Sequence, residues 1–439
     1  MFKRLTNFFV SIVQKYLPDP FLFAILLTLI VFIGGVFATD STPINMIDHW
    51  GSGFWGLLAF SMQMALVLVL GHVMASSAPV KKVLKSIASI PSSPGSSIII
   101  VSLVSAVACW VNWGFGLVVG ALLAKEVARI QKGVDYRLLI ASAYSGFLVW
   151  HAGISGSMPL TIATEGHDFQ DVTGLVSTSE TIFSSTNLII SIVLIALLPI
   201  INRLMMPQSK DVVEVDPKLL EDDLPEATTK KHQTPAEFLE NFSLISFVIG
   251  FMGVVYIVYY FAIEGGSLDL NIVNFIFLFM GILFHKTPKN YLHALRQAVK
   301  GAGGILIQFP FYAGIMGMMV ESGLAAQMTE LFINISTETT FPLFAFLSAG
   351  IVNFFVPSGG GQWAVQAPIM IPASIETGVE ISKTVIALSW GDAWTNMIQP
   401  FWALPALGIA GLGARDIMGY CLMILFISGI VISLGLVLL

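Results

Sequence analysis

Long runs of apolar residues, each about as long as a bilayer is thick, dominate this chain. A helix needs about 20 apolar residues to cross the hydrocarbon core of a membrane. Runs that meet or approach this length lie at 21–38, 54–74, 181–202, 242–262 and 418–439. They do not alternate between apolar and polar positions, as the strands of an outer-membrane barrel do. The pattern therefore predicts an all-α polytopic membrane protein.

The composition favours the same class. Of the 439 residues, 56% are hydrophobic and 11% are charged, whereas a soluble domain has about 25% charged residues. Cys109 and Cys421 lie far apart in apolar runs, so neither a disulfide framework nor a metal site is expected. Lys3, Arg4 and Lys15 precede the first run, and no small-residue cleavage site follows it. The first helix is therefore expected to be retained.

The positions of lysine and arginine predict the orientation of the spans, because these residues concentrate in cytoplasmic loops. They cluster before residue 16 and within 81–85, 125–137, 203–231 and 286–300. The connections at 40–49 and 165–180 contain acidic residues and no lysine or arginine, so they are assigned to the outside. This pattern predicts an inner-membrane protein with a cytoplasmic N-terminus and a periplasmic C-terminus.

Two apolar segments are interrupted near their middle and have both ends on the same side. The segment at about 95–129 is flanked by basic residues, and the segment at about 341–375 is flanked by acidic residues. Each is predicted to be a re-entrant helical hairpin. The first enters from the cytoplasm and the second from the outside.

The order of the segments predicts two inverted repeats. The first repeat covers 1–206, a cytoplasmic linker 207–241, a connector helix 242–263 and the second repeat 270–439. One extra crossing between equal halves turns the second half upside down, which is the design of many secondary transporters. A weak echo supports the pairing, because Val-Asn-Trp ends at Trp113 and Val-Asn-Phe ends at Phe354, an interval of 354 − 113 = 241 residues.

The two hairpin tips are the first candidates for a binding site. Unpaired backbone groups at membrane depth cost several kcal/mol unless they line a cavity or bind a ligand. Glycines allow close backbone approach, amide oxygens suit a cation, and helix N-termini favour an anion. Ordinary interhelical turns are the structural alternative. The candidate substrate-binding residues at the tips are Asn112, Trp113, Gly114, Asn353, Ser358, Gly359, Gly360, Gly361, Gln362 and Trp363.

A span rich in polar residues follows each hairpin and is predicted to be a broken helix. Asp392 is an acid within the body of a span, which makes it a candidate for binding sodium or carrying a proton; a structural hydrogen bond is the alternative. His151 is a core residue, a proton carrier or a donor to an anion. His151, Ser155 and Asn396 complete the predicted substrate site. The candidates for the coupling ion are Asn112, Ser145, Asn353, Asp392 and Thr395.

No lysine or arginine lies in the middle of a span, so helix N-termini and neutral donors would hold an anionic substrate. This favours a small, singly charged anion. Tryptophans such as Trp113, Trp150 and Trp402 crowd around the breaks. They form either an apolar wall for a short acyl chain or part of the aromatic belt at the membrane interface.

The sequence resembles the bacterial short-chain fatty acid transporter family over essentially its whole length. The resemblance rests on 16–21 (YLPDPF), 111–116 (VNWGFG) and 352–363 (VNFFVPSGGGQW). It implies uptake of acetoacetate or butyrate and membership of a broad superfamily of ion transporters. Studied members of that superfamily are dimers in which a mobile part moves past a scaffold like an elevator, often coupled to sodium.

The resemblance also implies roles for two asparagines. Asn112 and Asn353 match positions that contribute to cation and carboxylate binding in the superfamily. Trp113 and Phe354 stand where relatives that bind dicarboxylates carry threonine.

Together these observations predict a sodium- or proton-coupled symporter of short-chain monocarboxylates. It is expected to be a homodimer in lipid with no enzymatic activity, no nucleic-acid partner and no cofactor other than a sodium ion as coupling ion. The rival hypotheses are an anion exchanger or pore, a transporter of another small organic anion, and a membrane-embedded hydrolase that uses Ser155, His151 and Asp392.

Overall fold

The computed structural model describes residues 20–220, 234–354, 356–399 and 402–438. Every regular element in these ranges is a helix. Lys3, Arg4, Lys15 and most of the motif at 16–21 lie outside the described residues, as does the part of the predicted linker at 221–233.

Several helices are long and apolar enough to cross a membrane, which confirms the all-α membrane class. Among the described residues there are six such helices: Leu58–Ala75, Pro94–Val111, Ser185–Leu204, Ser243–Ala262, Gly303–Glu321 and Ala414–Leu438. Shorter apolar helices lie between them.

The helices of the first half are α1 (Pro20–Ala38), α2 (Pro43–Gly53), α3 (Leu58–Ala75), α4 (Ala78–Ala88), α5 (Pro94–Val111), α6 (Trp113–Ile130), α7 (Tyr136–Ser145), α8 (Ser157–Ala163), α9 (Gln170–Thr173) and α10 (Ser185–Leu204). A 3₁₀ turn, Gly146–Val149, continues α7. Two further 3₁₀ turns, Ser209–Asp211 and Pro217–Leu220, precede α11 (Pro235–Asn241) and α12 (Ser243–Ala262).

The helices of the second half are α13 (Leu270–His285), α14 (Pro288–Ala298), α15 (Gly303–Glu321), α16 (Leu324–Ile335), α17 (Phe341–Asn353), α18 (Gly359–Glu376), α19 (Ile381–Thr395), α20 (Ala403–Ala410) and α21 (Ala414–Leu438). A 3₁₀ turn, Val299–Gly301, separates α14 from α15.

Four short helices, α2, α4, α14 and α16, were not predicted from the apolar runs. They give the two halves one common order: apolar helix, short helix, apolar helix, short helix, a pair joined at a tip, a broken pair and a final apolar helix. Three of the four carry an ordinary start signal, a serine or threonine N-cap followed by proline in the first turn.

Two groups of helices pack mainly within themselves. The first, which we call the hairpin unit, consists of α5–α8, α10 and α17–α21. The second, the scaffold, consists of α1–α3 and α12–α15. The two groups meet chiefly where α6 crosses α3 and where α18 lies against α15, and the short helices α4 and α16 pack against α6 and α18 beside these contacts.

Buried hydrogen bonds join the two halves of the chain inside the hairpin unit. Side chains of the first half reach α19, α20 and the break between them. The bonds run from Tyr136 Oη to Ala410 O (3.0 Å), from Tyr144 Oη to Asn396 O (2.8 Å) and from Trp390 Nε1 to Asn187 Oδ1 (3.0 Å).

A segment after α10, residues 207–220, lies along the hairpin unit, and we call it the strap. The Val213 N–H donates to Asp135 Oδ2 (2.9 Å), and the Gly133 N–H donates to Glu214 Oε1 (2.7 Å). Asp135 also caps α7 through Oδ1. One buried carboxylate therefore holds both a helix and the strap.

Candidate functional site

The first tip is the junction of α5 and α6 at Asn112. Asn112 is fully buried and extended, and its Oδ1 accepts the Phe115 N–H (2.8 Å), which caps α6. The Trp113 N–H donates to Ser155 Oγ (3.0 Å). Within the described residues, Asn112 Nδ2 has no hydrogen-bond partner. The tip therefore offers a buried donor.

The second tip joins α17 to α18 and uses its asparagine in the opposite way. Asn353 Nδ2 donates to Thr395 Oγ1 (2.9 Å), and Thr395 Oγ1 donates to Gly350 O (3.0 Å). Asn353 Oδ1 is without a partner among the described atoms. Gln362 Nε2 donates to Ala349 O (2.9 Å), and its Oε1 is likewise unpaired in that set. This tip offers acceptors.

The three glycines of the second tip pack against aromatic rings that leave no room for a side chain. Ser358 caps α18 ahead of them, its Oγ accepting the Gly361 N–H (3.4 Å). The rings are those of His151 and Trp150 for Gly359, Phe60 and Phe309 for Gly360, and Tyr312 for Gly361. Gly114 at the first tip meets the α3 backbone at Leu68 in the same manner.

Tryptophans form a wall where the tips meet the broken helices. The ring of Trp113 lies 5.7 Å from that of Trp150 and 5.0 Å from that of Trp402. Trp150 Nε1 donates to Asn396 Oδ1 (3.0 Å), and Trp402 Nε1 donates to Pro357 O (2.9 Å). These bonds hold the two buried indoles inside the hairpin unit.

His151 and Asp392 form a buried pair, with His151 Nδ1 2.8 Å from Asp392 Oδ2. The Met158 N–H donates to His151 Nε2 (3.1 Å), so the ring is neutral and carries its proton on Nδ1. The imidazole also stacks on Trp150 with ring centres 4.1 Å apart. Asp392 Oδ1 has no partner in the described structure.

Sequence reasoning placed His151 with Asp392 only in the hydrolase alternative, and the transporter hypothesis named the two residues without pairing them. The available signal was their spacing, because 392 − 151 = 241, the interval that relates the two tips. Ser155 and Asn396 share it, since 396 − 155 = 241. Each residue in these pairs occupies a corresponding place after its own tip.

The orientation of Asn112, Gln362 and Asn396 follows from a partner that plays a single role, and that of Asn353 from Thr395, whose hydroxyl proton goes to Gly350 O. A backbone N–H or an indole N–H only donates, and a carbonyl only accepts. The unpaired groups of the predicted site residues, among those that the structure describes, therefore divide into donors and acceptors. The donors are Asn112 Nδ2, Trp113 Nε1 and Asn396 Nδ2; the acceptors are Asn353 Oδ1, Gln362 Oε1 and Asp392 Oδ1.

A cavity of about 150 Å³ lies between the hairpin unit and the scaffold, beside Trp363 and Phe60. The loop after α8 borders it, and Phe169 of that loop meets the Trp363 ring edge to face at 6.1 Å. Burial lowers the pKa of His167 and raises the pKa of Asp168, both in this loop.

Ser145 lies in a different group of hydrogen bonds. Its hydroxyl donates to Ser142 O (2.7 Å) and accepts from Asn202 Nδ2 (2.8 Å), which also reaches Ser102. The structure thus joins Ser145 to α10, while Asn353 and Thr395 bond to each other.

The hydrolase arrangement is not assembled. A triad needs the serine hydroxyl to donate to the free nitrogen of the histidine. Here His151 Nε2 takes the Met158 N–H, and Ser155 Oγ takes the Trp113 N–H.

Comparison with a solved structure supports the fold. The Alcanivorax borkumensis YdaH transporter, described as having an unusual topology, superposes with a TM-score of 0.60 at 15% identity and covers 96% of this chain and 97% of its own.

Comparison of sequences identifies the family of the chain. A protein named "Putative short-chain fatty acid transporter" in Escherichia coli strain K12 is 48% identical over 439 residues, all of both chains. A protein of the same name in Haemophilus influenzae is 46% identical and covers 99% of each chain. The family described as "Short chain fatty acid transporter" matches residues 1–439. The chain therefore belongs to the short-chain fatty acid transporter family.

Proposed function

We propose that this protein carries short-chain monocarboxylates such as butyrate or acetoacetate across the bacterial inner membrane by ion-coupled symport. The observation that carries the proposal is the set of unpaired donors on Asn112, Trp113 and Asn396 beside the tryptophan wall. Three neutral donors suit one carboxylate, and the indoles suit a short acyl chain. An unpaired buried donor is costly, so a ligand that pairs with it gains affinity.

The proposed architecture is a pair of inverted repeats with the N-terminus in the cytoplasm and the C-terminus outside. The common order of helices in the two halves supports it, as do the equal intervals between the tip and broken-helix residues. We expect the protein to be a homodimer formed through scaffold helices, because much of α12 is exposed and apolar.

The proposed motion is an elevator, in which the hairpin unit slides along the scaffold. Its glycines support this, because Gly114, Gly360 and Gly361 present bare backbone where the tips meet the scaffold. Such a surface has no side chains that interlock with the facing helix. The unpaired acceptors on Asn353 and Asp392, together with Thr395, are proposed to lie where the coupling ion binds.

The test is exchange of labelled butyrate and acetoacetate in proteoliposomes preloaded with unlabelled substrate. Trp113→Phe replaces the indole by a smaller aromatic ring and removes the unpaired N–H, so we expect KM to rise about 10- to 100-fold, the loss of one hydrogen bond to a charged group. Trp55→Phe, at an exposed position, is the matched control and should leave KM unchanged. Folded wild-type protein that exchanges neither carboxylate would contradict the proposal.

A further inference from the structure

The pair formed by His151 and Asp392 identifies the coupling ion, if the protein is the carboxylate symporter proposed above. We propose that the ion is a proton, taken up on Asp392 Oδ1 and carried one for one with the carboxylate. The pair bridges the two halves of the chain, and the two side chains are 0% and 1% exposed.

The geometry leaves one place for an added proton. His151 Nδ1–H already occupies Asp392 Oδ2, and the Met158 N–H occupies His151 Nε2. Trp150 stacks on the ring, and Gly359 packs against its edge, which holds the imidazole in this orientation. Protonating His151 would break the bond from Met158. Asp392 Oδ1, unpaired among the described residues, is the free position.

The same contacts favour a proton over a metal cation. The His151 N–H directed at the carboxylate occupies a lone pair that a cation could use and places a partial positive charge beside it. The nearest hydroxyl on the next turn of α19, Thr395 Oγ1, already donates to Gly350 O and accepts from Asn353. Hard cations need several oxygen ligands converging on one point.

On the helices that pack against α19, the other titratable groups lie at helix ends or on turns other than the one that faces Asp392. Neither α17, α8 nor the 3₁₀ turn Gly146–Val149 contains one. Glu376 ends α18 near the start of α19, and Ile381 and Asp392 are about 16 Å apart along that helix. Arg415, Asp416, Tyr420 and Cys421 belong to the first two turns of α21, whereas Trp394 reaches Leu425 further along.

Proton uptake and anion binding are coupled because Asp392 and the substrate are both negatively charged when ionised. Asp392 and the substrate donors belong to one cluster, because His151 stacks on Trp150 and Trp150 bonds to Asn396. An ionised Asp392 repels a carboxylate, so the anion binds once Oδ1 is protonated. The buried charge is then −1 both in the empty, ionised carrier and in the carrier holding a proton and an anion. The net movement is one proton and one monocarboxylate, which is electroneutral.

The experiment compares two modes of acetoacetate transport in proteoliposomes, with protein-free vesicles subtracted. Equilibrium exchange needs substrate binding and movement only, whereas gradient-driven uptake also needs coupling. For the wild type we expect about tenfold accumulation per unit of imposed pH difference, with equal sodium on both sides and no response to an imposed membrane potential. A sodium gradient alone should not drive uptake.

Asp392→Asn keeps an acceptor for His151 and cannot be ionised. We expect it to lose pH-driven accumulation and to retain exchange that no longer depends on pH. Ser389→Ala, one turn away on α19, removes a hydroxyl bonded only to Val385 O among the described residues and should keep both modes. His151→Asn keeps a hydrogen-bond donor for Asp392 near the position of Nδ1. We expect this variant to retain coupled uptake with a shifted pH profile.

The outcomes separate the two proposals. No exchange by folded wild-type protein contradicts the carboxylate function itself. Exchange with pH-driven accumulation retained in Asp392→Asn, or accumulation driven by sodium in the wild type, overturns the proton assignment and leaves the function standing.

Discussion

Asn112 and Asn353 occupy corresponding positions and yet present opposite polarity. The Asn112 side-chain oxygen caps α6, and its nitrogen has no partner among the described residues. At the second tip five residues separate Asn353 from α18, and Ser358 supplies the cap instead. Asn353 therefore turns its nitrogen to Thr395 and leaves its oxygen unpaired. A small difference in loop length thus leaves an unpaired donor at the first tip and an unpaired acceptor at the second.

Sequence reasoning located these residues but not their roles. Glycine-rich breaks in apolar runs can be recognised from the sequence alone, which is why Asn112, Asn353 and Gly359 were candidates. The direction in which the Asn353 amide points depends on Thr395, a partner 42 residues away. The bond between His151 and Asp392 spans 241 residues, so no local pattern predicts it.

Gly359→Ala is expected to abolish most transport while the protein still inserts and folds. The new methyl group would enter the rings of His151 and Trp150, and overpacking of this kind costs about 1–3 kcal/mol. We expect exchange to fall at least tenfold in proteoliposomes.

Gly51→Ala is the matched control, because a methyl group there meets open space and alanine favours the helix by about 0.5–1 kcal/mol. Equal exchange by the two variants would show that the second tip tolerates a side chain.

The short helices α2, α4, α14 and α16 show why apolar runs alone underestimate the number of elements. Each is amphipathic and too short to span a bilayer, so a search for about 20 apolar residues passes over it. Thr42 before Pro43 and Thr287 before Pro288 were sufficient start signals. The long helices were predicted to within a few residues because composition alone determines them.

Asp135→Ala is expected to destabilise the protein more than Asp269→Ala does. Both aspartates cap a helix, which contributes about 1 kcal/mol, but Asp135 also holds the strap through Val213. Thermal unfolding in detergent should show the larger shift for Asp135→Ala, and trypsin should cut faster at Lys210 and Lys218. Identical melting and cleavage in the two variants would mean that the strap is not held by this carboxylate.

At the scale of the whole molecule, the class and the order of the spans were predictable from sequence, whereas the packing of one half on the other was not. The predicted boundaries of α12 and α21 follow from apolar length alone. The contacts of α6 with α3 and of α18 with α15 depend on three-dimensional fit between glycine surfaces and aromatic rings, as at Gly361 and Tyr312. Periodicity along the chain contains no information about such fits.

A disulfide between residues 164 and 270 is expected to stop transport, because it ties the hairpin unit to the scaffold. The Leu270 N–H donates to Thr164 Oγ1 (3.2 Å), so the two backbones lie close enough for a cross-link. We expect oxidised Thr164→Cys/Leu270→Cys, in a background with Cys109 and Cys421 replaced by alanine, to lose exchange and to regain it on reduction.

Gln63→Cys/Asn274→Cys is the matched control. Asn274 Nδ2 donates to Gln63 O (3.0 Å) with both residues inside the scaffold, so this cross-link should leave exchange intact. Full activity of the oxidised 164–270 pair would rule out a sliding hairpin unit.

The buried bonds between the halves have a consequence for the covalent chain itself. Tyr136, Tyr144 and Trp390 tie the first half to the second without help from the peptide backbone between residues 207 and 241. The gene could therefore be divided within that segment and the two polypeptides made separately in one cell. The two polypeptides would associate through the same tyrosine and tryptophan hydrogen bonds that join the halves of the intact chain. The pair of His151 with Asp392 would form only after they associate.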